Sequence, residues 1–158
     1  MILARIVGGV ACIHWTAAGR RRVERVNGEH PNVARCRRAY ELFGSRDADA
    51  LRHLLAEDIV WNVPGRGKFA GPKRGHDEVF AFLQEVGWEQ RETTIDIDLR
   101  DIVADDAHMV AIVHYHHERA DAVFNQDGVE VFSLDRDGKI TAFWAFVHDS
   151  AAFDEFFG

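Results

Sequence analysis

The sequence predicts an α+β fold in which about three N-terminal helices pack on a strongly curved antiparallel sheet that closes into a cone. Three observations carry this. Residues 51–75, LRHLLAEDIVWNVPGRGKFAGPKRG, read as a helix end, an acidic turn, a short strand around Trp61 and a Pro-Gly-rich loop returning over the strand's face. The helical period is confined to the first half of the chain, whereas long alternating segments fill the second half. Finally, Asp135-Arg136-Asp137-Gly138 between two alternating runs is a strong hairpin signal.

The elements follow in order. Val33, Cys36, Arg37, Tyr40 and Phe43 or Leu42 recur at three- and four-residue spacing, predicting a first helix over 31–44. Pro31 suits its first turn and Gly44 its C-terminal cap. A second helix over 48–55 follows Asp47 as N-cap and turns Leu51, Leu54 and Leu55 inward. Glu57-Asp58 ends it, and 59–63 alternates as a strand. Pro64-Gly65-Arg66-Gly67 and Gly71-Pro72 make a loop or loose hairpin, and a third helix over 76–86 buries Val79, Phe80, Phe82 and Leu83. Strands are then expected over 93–103, 109–118, 122–134 and 139–147. A last helical piece over 150–157 lays Phe153, Phe156 and Phe157 against the open end of the cone.

Composition narrows the partners. A chain of 158 residues, 47% apolar, is long enough for one domain with a sizeable core. Its eleven Phe and four Trp suit a fold that lines a cavity as well as filling a core. A net charge of −7 argues against nucleic acid, which needs a basic face. Cys12 and Cys36 make neither a disulfide framework nor a metal spacing, so a reducing cytoplasm is expected. Residues 1–28 differ: Arg5, Arg20, Arg21, Arg22 and Arg25 against Glu24 give +4. Their apolar run is too short to span a membrane, and the Arg cluster follows it, the reverse of a signal peptide. This segment is expected to be an N-terminal extension, with Val23 or Val26 as alternative starts, and 29–158 to be a single domain.

The runs RAYELFGSRDADALRHLLAEDIVWNVPG, FAGPKRGHDEVFAFL and VEVFSLDRDGKITAFWAFVHD resemble the nuclear transport factor 2-like superfamily, within it the SnoaL-like and ketosteroid-isomerase-like domains. The resemblance covers residues 32–157. It implies a cone pocket for a small lipophilic molecule, a homodimer through the sheet, and isomerase, cyclase or hydrolase chemistry without a cofactor. A non-catalytic binding or dimerisation module is the alternative, because this fold does not fix function.

In the steroid isomerases a carboxylate before the proline that ends the first strand moves the proton, while a tyrosine and a protonated carboxylic acid stabilise the enolate. Here Val63 takes the base position, Tyr40 is at or beside the tyrosine position, and Glu130 falls on the second acid. Glu130 between Val129 and Val131 either faces the pocket, where desolvation raises its pKa, or points outward to solvent or a subunit interface. Strand parity divides VHYHHE. His114, His116 and Glu118 share one face, whereas Val113, Tyr115 and His117 share the more apolar one with Met109 and Ala111. His114 and His116 are two apart, as metal ligands can be, but nothing supplies further ligands, and no metal is expected. The side of His148 is left open. Glu130, Tyr40 and His117 are therefore the candidate catalytic residues. Trp61, Val63, Phe69, Phe82, Val113, Tyr115, Phe132, Phe143 and Val147 are the candidate pocket lining. Parity sets Phe143, Ala145 and Val147 against Ile140, Trp144, Phe146 and His148 on the last strand.

Overall fold

A computed structural model describes residues 29–90 and 93–158, and its compact unit is Pro31–Gly158. The expectation for residues 1–28 lies outside the described residues. The order is α1 (Pro31–Ser45), α2 (Ala48–Leu54), β1 (Leu55–Val63), β2 (Gly71–Arg74), α3 (Gly75–Glu85), β3 (Thr94–Ala104), β4 (His108–Arg119), β5 (Ala122–Leu134), β6 (Ile140–Val147) and α4 (Ser150–Phe157). One six-stranded sheet runs β2-β1-β6-β5-β4-β3, with the helices on its inner face.

Most pairings are antiparallel, as the sequence predicts, but β1 and β6 run parallel, with Trp61 beside Phe143 and Asn62 beside Trp144. That contact makes one sheet of an N-terminal hairpin (β1–β2) and a C-terminal meander (β3–β6). The β1–β2 segment is a paired hairpin, Val63 opposite Gly71 and Val60 opposite Arg74. Register breaks interrupt β1, β3 and β6, and such bulges bend a strand and tighten its twist.

Several local expectations need correction. The first helix does not end on Gly44. Its left-handed cap residue is Arg46, with φ of 59°, and the amides of Arg46 and Asp47 return to the carbonyls of Phe43 and Leu42 in a Schellman arrangement. A non-glycine is held there because its guanidinium donates to the carbonyls of Gln90 and Thr93, at 2.6 and 3.2 Å. Arg37 is exposed and Ala39 takes its place on the buried face. The second helix stops at Leu54, since Leu55 is drawn into the sheet beside Ile140, and Glu57-Asp58 lies within the bulged strand rather than ending a helix. Parity also fails for Ile140. Leu134 pairs with Ile140 but Ser133 with Ala142, so Thr141 is an extra residue that rotates Ile140 onto the inner face, where it is buried.

The sheet's outer face carries two apolar rows. Ile112, Val129 and Phe146 pair across β4, β5 and β6, next to Val110, Val131 and Trp144. Phe146 is 58% exposed and Ile112 48%. Trp144 and Phe146 therefore face away from the helices.

Candidate functional site

Alternation in β4 and β5 aims one set of side chains inward. Met109, Ala111, Val113, Tyr115 and His117 are buried, and so are Phe124, Glu130 and Phe132. Glu130 is only 3% exposed, which settles its direction: it faces the interior, between Ala111 and Ala145 on the neighbouring strands. A carboxyl so placed needs hydrogen-bond donors. Two tyrosines supply them: the hydroxyl of Tyr40, from α1, donates to Oε2, and that of Tyr115 donates to Oε1 at 3.0 Å. Tyr115 reaches this position by lying over Gly128, where an added Cβ would come within 2.5 Å of its ring.

Burial sets the electrostatics. Loss of hydration raises the Glu130 pKa to about 7, against the opposing pull of the two hydroxyl donors. Both phenols are pushed upward from their ordinary value, first by burial and then by the adjacent carboxylate. The Cys36 thiol, one helical turn before Tyr40, is raised to about 12 by burial, with Glu130 adding to it. His117 moves the opposite way, to about 4, because its ring is buried among Phe124, Phe156 and Phe157. It is therefore neutral at physiological pH, and its Nδ1 is buried without a hydrogen-bond partner.

Two cavity lobes meet at Glu130. The first lies among Ala39, Tyr40, Leu51, Phe132 and Ile140. The second lies among Val63, Phe82, Tyr115, His117, Val147 and the α4 residues Phe153 and Phe157. Phe43, Trp61, Ile97, Glu130 and Phe143 border both. Apolar walls with a few convergent polar groups are typical of small-molecule sites.

All three candidate catalytic residues border this space. Of the candidate lining, Trp61, Val63, Phe82, Tyr115, Phe132, Phe143 and Val147 do so as well. Two do not. Phe69 stands behind Phe82, edge to face at 5.8 Å, and Val113 is fully buried beneath the sheet's inner surface. Among residues the sequence reading missed, Trp88 is the most consequential. It is 1% exposed, donates from Nε1 to the Phe43 carbonyl at 3.0 Å, and so ties the end of α1 to the segment after α3. Its position outside any periodic element removed the signal that would have marked it. His114 and His116 point outward: His114 engages Asp127 and Asn125, and His116 lies 3.9 Å from Glu118. Asp149, after His148, caps α4 by accepting from the Ala151 and Ala152 amides.

The α4 side chains Phe153 and Phe157 form one wall of the second lobe. Asp154 reaches across to the β1–β2 loop and accepts from the backbone amides of Arg66 at 2.7 Å and Gly67 at 2.9 Å.

Comparison with known proteins agrees with this architecture. The SnoaL-like domain family matches residues 36–143. The protein Rv0034 of Mycobacterium tuberculosis is 29% identical over 121 residues, covering 76% of this chain and 91% of its own. Among solved structures, Bal32a from a soil-derived mobile gene cassette superposes with a TM-score of 0.73 at 28% identity, covering 80% of this chain and 96% of its own. Rv0760c of M. tuberculosis, solved in complex with estradiol-17beta-hemisuccinate, superposes with a TM-score of 0.60 at 18% identity, covering 74% and 93%. The fold is thus the nuclear transport factor 2-like cone.

Proposed function

The chain belongs to the SnoaL-like domain family, and from that membership we propose that it binds a small lipophilic molecule in its two-lobed cavity and performs cofactor-free acid–base chemistry on it. The observation that carries the reading is Glu130, a carboxyl buried in apolar surroundings with a tyrosine hydroxyl on each oxygen. A carboxyl held near neutral pKa exchanges its proton at physiological pH, as a general acid must. The reaction class that suits these groups is proton transfer beside a carbonyl. Glu130 and Tyr40 polarise the oxygen, and the neutral imidazole of His117 stands on the wall of the second lobe as a proton acceptor. That a distant structural relative was solved with a steroid ester bound is in keeping with a lipophilic guest.

A second reading, binding without turnover, is favoured by Val63. It stands where the steroid isomerases carry their base, and it cannot accept a proton. Both readings include a homodimer through the apolar outer sheet face and residence in the cytoplasm.

One ligand separates them. 2-Acetylnaphthalene is apolar, carries one carbonyl, and has exchangeable protons beside it. Calorimetric titration should show saturable binding, at least tenfold weaker in Ile97→Trp, which fills the junction of the lobes. In D₂O, NMR should show faster exchange of the acetyl protons with the protein than without it. Binding without accelerated exchange would leave the non-catalytic reading, and absence of binding would remove both.

A further inference from the structure

We infer that the cavity also takes an apolar cation, an alkylammonium whose charged end lies at the junction of the two lobes against the Glu130 carboxylate. This rests on the binding half of the proposed function and goes beyond its carbonyl chemistry.

Glu130 is a buried acid without a counter-charge. It is 3% exposed, and the polar groups acting on it are two phenol hydroxyls, which donate hydrogens but carry no charge. Among the described residues no cationic side chain stands against it. Cys36 and Tyr40 face it from α1 and Tyr115 from β4, and all three stay protonated and uncharged at neutral pH. α2 presents Leu51, β3 presents Ile97, and β1 and β6 present Trp61, Phe143 and Ala145. The His117 ring, also from β4, is neutral. An ionised carboxylate accepts about four hydrogen bonds, and the phenols supply one to each oxygen. Positions for further donors therefore remain on an anion that borders both lobes. Burying that charge is costly, but the cost is incurred on folding, with or without a guest. An arriving ammonium loses only its own hydration, and it gains charge-assisted hydrogen bonds about twice as strong as neutral ones.

The surroundings favour the same sign of charge. Phe43, Trp61 and Phe143 border both lobes beside Glu130, and aromatic faces attract an ammonium, the indole most of all. Tyr40, Phe43 and Ile97 also border a neighbouring hollow, which Asp96 and Asp98 line from β3, an edge strand of the sheet. Asp98 is bridged to Arg100 at 3.1 Å, whereas the charge of Asp96 acts inward as far as His117, whose hold on a proton it strengthens. With a net charge of −7, the chain as a whole draws cations and repels anions. The ligand class is therefore a monocation with an apolar body that fills a lobe and an N–H-bearing end that meets the carboxylate.

The probe is 2-naphthylmethylammonium, and its comparator is 2-naphthylmethanol, which has an uncharged hydrogen-bond donor in place of the ammonium. In calorimetric titration at pH 8 the ammonium should bind the wild-type protein about tenfold or more tighter than the alcohol. Below about pH 7 the free protein holds a proton on Glu130, and an ammonium guest must expel it. Titration at pH 6 in two buffers of different ionisation enthalpy should therefore count close to one proton released per ammonium bound, and none per alcohol. The ammonium's Kd should rise by up to about tenfold for each unit that pH falls below about 7. Glu130→Gln keeps the shape and removes the charge, so the two compounds should bind it alike at pH 8. Asp96→Asn, which leaves the Glu130 cluster intact, should weaken the ammonium at low salt and not the alcohol. If the alcohol matches the ammonium in the wild-type protein at pH 8, or the preference persists in Glu130→Gln, this inference fails and the binding function stands. The same holds if neither binds while 2-acetylnaphthalene does. If none of the three binds, the binding function fails and the inference with it.

Discussion

Glu130 is the residue at which fold stability and the proposed function pull against each other. The native state holds its proton up to about pH 7, whereas an unfolded glutamate releases it near 4.5. Between those values the native state binds more protons, so the stability from this group is full below about 4.5 and is lost as pH rises through about 7. At roughly 1.4 kcal/mol per pKa unit the loss is of order 3 kcal/mol. Glu130→Gln keeps the shape and does not ionise. Urea denaturation should find it more stable than wild type at pH 8, by up to about 3 kcal/mol, with the advantage shrinking towards zero at pH 5. A variant less stable than wild type at pH 8 would mean that Glu130 is a charged structural partner. Tyr40→Phe should act in the opposite sense on the titration. Without the donor that favours the charged form, the Glu130 pKa rises further, which a carboxyl-stretch infrared titration would register.

At the scale of elements, α4 is a wall of the second lobe held by one polar link. It lays Phe156 against His117 and Phe124, and its Phe153 and Phe157 wall the second lobe. Its link to the β1–β2 loop is the Asp154 carboxylate on two backbone amides. Asp154→Ala leaves those amides unpartnered while the aromatic packing remains. The expected cost is about 1 kcal/mol in overall stability, with faster hydrogen exchange at the Arg66 and Gly67 amides and faster release of a bound ketone. Unchanged exchange at those two amides would show that α4 is held by its phenylalanines alone.

At the scale of the whole molecule, the outer sheet face leaves Ile112, Val129 and Phe146 in one apolar row next to Val110, Val131 and Trp144. Contiguous exposed apolar surface of this kind marks an interaction site, and a second copy of the chain is the partner proposed above. Sedimentation at micromolar concentration should report twice the 17.9 kDa chain mass. Phe146→Glu, which places a charge at the β6 end of that row without touching the cavity, should give the monomer with ligand binding retained. A wild-type monomer would exclude the sheet-mediated dimer.

How much was legible follows from which interactions are local. Residue spacing sufficed for four helices, for the hairpin at 135–138, and for the span of α4, because period, cap and turn chemistry act within a few residues. Two-residue alternation sufficed to divide Tyr115 and His117 from His114 and His116, since each strand face is a property of its own sequence. The same rule misplaced Ile140, because the bulge at Thr141 depends on how β6 must pair with both β5 and β1. The parallel β1–β6 contact, the anchoring of α1 by Trp88, and the tolerance of Arg46 in a left-handed cap all rest on partners far away in sequence. Glu130 shows the division most clearly. The sequence by itself determined that a carboxyl sits among valines and shares a strand face with Phe132. Only the tertiary structure decided that this face is the interior and that Tyr40, ninety residues away, closes on its oxygen. Hydrophobic period is written in neighbouring residues, whereas a buried polar cluster exists only where separate elements converge.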